Sequence, residues 1–411
     1  MAESASAAAS PPTAPPPEFA WPARERADGA KKDDLAHAAR CGSSLTDSPQ
    51  RISTVAPVEY QPEAHAQTGR PRFPRFHDLV GQTPLVDLTH LLPGHADVDE
   101  HAENASNVAV QVLAKVEWLN PSLSIKDRIV REIFDDAEAR GVLKPGGTVV
   151  AASSGNTAAA VAMLAAARGY RAVIVTSSKC SKEKMDAIRA YGAELRVDDG
   201  NYMAAADALA AAHPDWFNVS QYKNPLNPRA HYATLGPEIW QQTGGRATHL
   251  VCGGSTGGTI SGAGRFLKEA SGGAVRVVLA DPVGSVFTHY HRTWDAATNA
   301  GELTKKGKFL VEGVGKGSIP GAIDFRVIDD VLPVTDAETF AMCRRLARSE
   351  GILAGGSGGM NVHAALRVAA KLAADGRPAT VVTVMPDCGI KYLSKVYNDD
   401  WLAENGLAAD E

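Results

Sequence analysis

Asn120-Pro121-Ser122-Leu123-Ser124-Ile125-Lys126-Asp127-Arg128 is the stretch on which the reading of this chain turns. It follows an alternating run, Val108 to Val116, in which Val108, Val110, Val112 and Val116 share one face, the pattern of a half-buried strand. It opens a run of helical period. Ile125, Ile129, Ile133, Phe134 and Ala137 fall on one side, and Gly141 stops the helix. Lys126 therefore sits where a strand ends and a helix begins, and open α/β sheets bind their ligands at the carboxyl ends of strands. A lysine there is either a solvated first-turn residue or an amine able to form a Schiff base with an aldehyde.

Outward from this stretch, the pattern switches repeatedly between periods. Strands are expected over 148–151, 171–176, 194–197, 216–219, 249–252, 275–280 and 380–384. Helices are expected over 156–168, 181–191, 202–212, 231–242, 259–270, 337–349, 361–374 and 391–404. Such alternation means βαβ units, an α/β fold and a mostly parallel sheet. The folded part begins near Phe76, and Thr83-Pro84-Leu85-Val86 leads into it. Before it, residues 1–75 are rich in Ala, Ser and Pro with little periodicity, the composition of a disordered extension.

Composition narrows the classes of function. The chain has 411 residues, enough for two domains, with 44% hydrophobic and 22% charged residues, as in globular proteins. A formal net charge of -5 argues against a broad nucleic-acid or anionic-membrane surface. The five cysteines, Cys41, Cys180, Cys252, Cys343 and Cys388, form no Cys-x-x-Cys pair. That argues against a zinc site and a disulfide framework, and a reducing compartment such as the cytoplasm fits best. The apolar runs are too short to span a bilayer.

Two glycine-rich turns bear on the lysine. Cys252-Gly253-Gly254-Ser255-Thr256-Gly257-Gly258-Thr259 lies between an expected strand and helix. Backbone N–H groups, the positive end of a helix and the hydroxyls of Ser255, Thr256 and Thr259 suit an anion, a phosphate above all. No Gly-Lys-Ser/Thr follows and Gly-x-Gly-x-x-Gly spacing is absent, so neither a Walker loop nor a dinucleotide fingerprint fits. Ser153-Ser154-Gly155-Asn156-Thr157 repeats the device after another strand and suits a carboxylate. Ser357 stands in the glycine run Gly355–Gly359, and the turn Glu312-Gly313-Val314-Gly315 lets a backbone approach a ligand closely.

Together these stretches resemble the β-family of pyridoxal-phosphate enzymes that includes cysteine synthase and cystathionine β-synthase, from about Phe76 to Trp401. The resemblance makes Lys126 the Schiff-base lysine and places Asn156 at the cofactor's ring oxygen. It puts the phosphate on Ser255, Thr256, Gly257, Gly258 and Thr259, and Ser357 at the pyridine nitrogen. The substrate carboxylate falls to Ser153, Ser154, Gly155, Thr157 and Gln221, with Gly313 beside it. Ser255 stands where the family has Gly, and so does Ala158; both bear on which substrate fits. Within the family, Glu183-Lys184-Met185-Asp186, Asp281-Pro282-Val283-Gly284-Ser285 and Tyr392-Leu393-Ser394-Lys395 lean toward cystathionine β-synthase. Asn120-Pro121-Ser122 and Gly236-Pro237-Glu238 resemble cysteine synthases about as well.

The resemblance implies a two-domain fold type II enzyme like the tryptophan synthase β-subunit, its mostly parallel sheets flanked by helices. Residues 76–119 and 232–411 would form a large cofactor-binding domain, and 120–231 a small mobile one. It further implies pyridoxal 5'-phosphate as cofactor, a homodimer, and β-replacement on serine or O-acetylserine by a thiol or sulfide. A serine/threonine dehydratase and a non-catalytic cofactor-binding relative are the alternatives. Nucleic acid and membrane are not expected partners.

Overall fold

The structure, a computed structural model, describes residues 74–93, 110–178 and 180–407. The extension expected over 1–75 lies outside the described residues except for 74 and 75, as do Cys41 and Val108.

Two sheets organise the described residues. The larger has six strands in the order β1 (Leu85–Asp87), β2 (Val110–Val116), β10 (Ala379–Met385), β7 (His249–Gly253), β8 (Arg276–Pro282) and β9 (Asp330–Val334). Only β1 runs antiparallel; the other pairings are parallel. The smaller sheet is wholly parallel, in the order β5 (Glu194–Val197), β4 (Arg171–Thr176), β3 (Thr148–Ala152) and β6 (Trp216–Asn218).

Helices cover both faces of each sheet, as parallel strands require. Strand β10 is buried along its whole length. Val381 and Met385 join a core on one face, against α10 (Gly356–Ala374) and α9 (Asp336–Glu350). Val382 and Val384 join another core, against α7 (Gly258–Ala270) and α6 (Leu235–Gln242). In the smaller sheet, Val149, Ala151 and Ile174 pack with α1 (Lys126–Ala139) and α2 (Asn156–Arg168). Val150, Val173 and Val175 face α4 (Tyr202–Ala212).

Most expected elements appear within two residues of their expected ends, and the departures have local causes. Strand β2 is not half-buried. Lys115, on its expected polar face, is 0% exposed. Its ammonium reaches Glu238 at 2.7 Å, Gln242 at 3.0 Å and the Thr83 carbonyl at 2.5 Å. The helix expected over 231–242 is two, α5 (Leu226–Ala233) and α6, broken at Thr234 (φ -125°, ψ -68°). Pro237 has no N–H for the Ala233 carbonyl, and its ring would clash with it, so no single helix passes through. The helix expected over 391–404 shrinks to α11 (Asp399–Glu404), started by the Asn398 side chain, which accepts from the Trp401 N–H. Residues 389–392 form one 3-10 turn. Helix α10 starts at Gly356, five residues before the expected 361, because the glycine run is its first turn. A Cβ at Gly359 would lie 2.3 Å from Cys343 Sγ and 2.6 Å from the Thr339 carbonyl oxygen, so those glycines let α10 close on α9. Strand β9 and the short α8 (Phe287–Arg292) were not expected; Pro333 inside β9 hides its pattern. The remaining helix, α3 (Lys182–Ala190), is capped by Ser181.

Candidate active site

A cleft of about 200 Å³ opens at the carboxyl ends of β3, β7 and β10. Lys126, the first residue of α1, lines it and is half-buried. Among the described residues its amine has no protein hydrogen-bond partner. Burial lowers the amine from the ordinary lysine range; nearby Asp387 opposes that shift and nearby Lys316 adds to it. The amine is thus closer to its free-base form than a surface lysine.

The backbone under Lys126 is fixed from behind. Arg128, 1% exposed, sends Nε to Glu117 Oε2 at 2.7 Å and Nη1 to Glu238 Oε1 at 2.6 Å. Its Nη2 reaches Glu117 Oε1 at 2.9 Å and Glu238 Oε2 at 2.7 Å. Asn120 Oδ1 accepts from the Gly81 N–H at 2.8 Å, and its Nδ2 donates to Glu117. Burial alone would raise the Glu117 carboxyl, but the Arg128 guanidinium outweighs it and holds the group below the usual carboxylate range. Asp127 accepts from the Ser122 N–H at 2.6 Å and from its hydroxyl; burial still pushes its carboxyl up to about 6.

The two glycine-rich turns face this amine. Ser255, Thr256, Gly257 and Thr259 line the cleft where α7 begins; Gly258 belongs to the same turn but does not line it. The N–H groups of Ser255, Thr256 and Gly257 have no acceptor among the described residues. Gly257 has φ +84°, and a Cβ there would come within 2.2 Å of the Ile323 Cβ. Glycine is therefore required to turn the donors toward the cleft. Asn227 props the turn from below, donating to Thr256 Oγ1 at 3.0 Å and to the Gln221 carbonyl at 2.9 Å. Opposite, Ser153, Ser154, Gly155, Asn156 and Thr157 line the cleft at the start of α2. Thr157 Oγ1 donates to Gln221 Oε1 at 2.7 Å, and Gln221 Nε2 reaches the Ala152 carbonyl at 3.1 Å. Ser357, in the first turn of α10, lines the same cleft and is 7% exposed. Among the described residues its hydroxyl has no partner. Gly313, φ +80°, lines the cleft as well.

The structure thus brings every singled-out residue to one place, with Gly258 just behind the surface. It adds residues that sequence reasoning missed. Asp387 Oδ2 accepts from Asn156 Nδ2 at 2.7 Å and from the Tyr392 hydroxyl at 2.6 Å. Lys391 Nζ donates to Asn156 Oδ1 at 2.9 Å. Asn156 is held by both ends of its amide, and its amide also meets the Tyr392 hydroxyl. Asp387 follows β10 with no pattern of its own, so nothing in the sequence marked it. Lys184 and Glu312 meet at 2.7 Å on the cleft wall, and Lys316, Tyr202 and Tyr222 line it further.

A helix N-terminus with open donors suits a phosphate, an amine without a partner suits an aldehyde, and the Ser357 hydroxyl suits a neutral ring nitrogen. These residues fit pyridoxal phosphate. Residues 77–387 match the family described as pyridoxal-phosphate dependent enzyme. Cysteine synthase 1 of Emericella nidulans is 37% identical over 342 residues, covering 80% of this chain and 86% of its own. Cystathionine beta-synthase of Apis mellifera is 36% identical over 336 residues, covering 80% of this chain but only 62% of its own. The crystal structure of O-ureido-L-serine synthase matches with a TM-score of 0.68 at 34% identity, over 81% of this chain and 100% of that one. The chain belongs to the cystathionine β-synthase and cysteine synthase family of pyridoxal-phosphate dependent, β-replacing enzymes.

Proposed function

We propose that this chain replaces the β-substituent of L-serine or O-acetyl-L-serine with a thiol or sulfide, giving cystathionine or cysteine. The observation that carries the reading is the convergence of the Lys126 amine, two donor-lined helix N-termini and the Ser357 hydroxyl on one cleft. In this reading Lys126 would hold the cofactor through its amine, and Asn156 would stand at its ring oxygen. Ser255, Thr256, Gly257, Gly258 and Thr259 hold the phosphate, and Ser357 meets the ring nitrogen. Bound there, pyridoxal phosphate supplies an electron sink for the substrate's α-carbon.

The chain's own residues do the rest. Ser153, Ser154, Gly155, Thr157 and Gln221 hold the α-carboxylate, with Gly313 close behind the substrate. Lys126 would take the substrate's α-proton; an amine shifted toward its free-base form is suited to that task. A hydroxyl at the ring nitrogen, unlike a carboxylate, does not hold a proton there, which favours prompt loss of the β-substituent. Residues 120–231 act as a small domain that closes over the carboxylate turn and keeps water out. The resemblance also carries a homodimer, tested by light scattering, and the cysteine pattern a cytoplasmic location, tested by imaging the tagged chain.

Purified protein is expected to show a visible cofactor band that Lys126→Ala abolishes together with nearly all turnover. An unchanged spectrum in that variant would remove Lys126 from its role. Serine and O-acetylserine are then offered with sulfide and with homocysteine, and products identified by mass. Cystathionine from serine supports the synthase of that name; cysteine formed from O-acetylserine alone supports a cysteine synthase. Pyruvate and ammonia without thiol incorporation would overturn β-replacement in favour of a dehydratase.

A further inference from the structure

Beyond the residues that hold cofactor and α-carboxylate, the cleft contains a second amine with no assigned task. Lys316 follows the turn Gly313-Val314-Gly315, and its backbone is pinned on both sides. Its N–H donates to Ser285 Oγ at 3.2 Å and its carbonyl accepts from the Val286 N–H at 3.0 Å. Gly315 has φ +66°, and a Cβ there would stand 2.5 Å from Pro282 Cγ, so the turn that presents Lys316 is fixed. The ammonium lies 4.5 Å from the Tyr222 ring centroid and 3.4 Å from its hydroxyl. Tyr222 in turn is hydrogen-bonded to Tyr202.

What this ammonium lacks is a counter-ion. No carboxylate lies within 4.0 Å of it among the described residues, although it is half-buried on the cleft wall. One phenol occupies one of its three donors. Burial lowers the amine, and only the Tyr202 side chain acts against that. The Ser153–Thr157 turn already offers donors enough for an α-carboxylate, and neither a serine hydroxyl nor an acetyl group calls for a cation. An ammonium desolvated on purpose is matched by an anion that arrives with a reactant.

We propose that Lys316, with the Tyr222 and Tyr202 hydroxyls, is a specificity-determining subsite for a carboxylate or phosphate group carried by the leaving group or by the thiol nucleophile. This rests on the β-replacement reading and deepens it. In the reaction the anion stays non-covalently bound, so Lys316 alters selection rather than the bonds that form and break.

The test uses reconstituted enzyme, in which the phosphate turn is filled by cofactor, as wild type, Lys316→Met and Lys316→Arg. One arm compares kcat/KM for O-phosphoserine against O-acetylserine, both with the neutral thiol 2-mercaptoethanol. The other compares 3-mercaptopropionate against 2-mercaptoethanol, both with O-acetylserine. Lys316→Met is expected to lower at least one of these ratios about tenfold, and Lys316→Arg to keep most of it. The arm that responds identifies whether the leaving group or the nucleophile brings the charge. Titration with inorganic phosphate, followed by the cofactor band, is expected to show binding about tenfold weaker in Lys316→Met. The proposal is overturned if neither ratio falls by more than about twofold, including the case where anionic and neutral reactants lose activity together. Wild-type enzyme that turns over none of these pairs, and makes no product from serine or O-acetylserine with sulfide or homocysteine, would refute β-replacement instead. Phosphate binding would then decide on Lys316 alone, equal affinity in wild type and Lys316→Met overturning its role.

Discussion

Arg128 fixes the site without touching the cleft. It and Lys115 are buried against Glu117 and Glu238, two cations with two anions, and the Arg128 fork spans both carboxylates. Removing one member leaves charge uncompensated in a low-dielectric interior, which costs about 3–5 kcal/mol. Arg128→Met is therefore expected to lower unfolding free energy by that amount, read as a shift of the urea midpoint at unchanged slope. Arg128→Lys, which keeps the charge but not the fork, is expected to lose part of it. A loss under about 1 kcal/mol for the methionine variant would mean that the four charges do not hold the Lys126 stretch in place. Arg128 was visible in the sequence as part of a motif, but its work was not. That work depends on Glu117, Glu238 and Lys115, and residue 238 is brought to it across 110 positions.

Elements were legible wherever the period was unbroken. Helix α2, nearly all alanine and aliphatic, runs over the expected 156–168, and β4 over the expected 171–176. Legibility failed where a side chain, not a period, set the boundary: Pro237 in the first turn of α6, Asn398 before α11, Pro333 within β9. The α5–α6 break has a consequence at the phosphate turn. It leaves His231 in α5, 1% exposed, with Nε2 at 3.2 Å from Thr259 Oγ1 and Nδ1 without a partner among the described residues. Burial lowers the ring well below its ordinary 6.5, and nearby Lys126 and Arg128 add to the shift. The folded protein thus keeps a neutral ring where the unfolded chain takes up a proton. The stability this gives is complete above pH 6.5 and is lost as pH falls below it, by at most about 1.4 kcal/mol per pH unit. His231→Gln is expected to flatten that part of the stability curve. An unaltered slope between pH 6.5 and about 5 would show that His231 is not what couples α5 to pH.

At the scale of the molecule, the sequence announced parallel α/β structure but not its arrangement. Periodicity says that β2 and β10 are strands; it does not say that Val110 pairs with Ala379. Only the folded arrangement shows that the cleft wall is crossed by one carboxylate. Glu312, beside the larger sheet, takes Lys184 of α3 at 2.7 Å and Lys395 at 2.5 Å. Burial would raise its carboxyl, yet the two ammonium groups hold it below the usual range. Lys184 also lies 4.5 Å from the Tyr392 ring centroid, and Tyr392 is the partner of Asp387. The carboxylate thereby links the proposed small domain to the network that holds Asn156. Glu312→Gln would leave Lys184 and Lys395 facing each other across the gap, a repulsion that works against closure. The bridge is partly exposed, so solvent screens it, and a change of about 1–2 kcal/mol in the closing equilibrium is expected. That predicts a rise of about tenfold in KM for the amino-acid substrate, with the free protein's Tm little changed. Because the attraction is screened by ions, raising salt should increase wild-type KM toward that of the variant and move the variant less. A variant whose KM equals wild type at low salt would show that Glu312 takes no part in closure and that the bridge only decorates the wall.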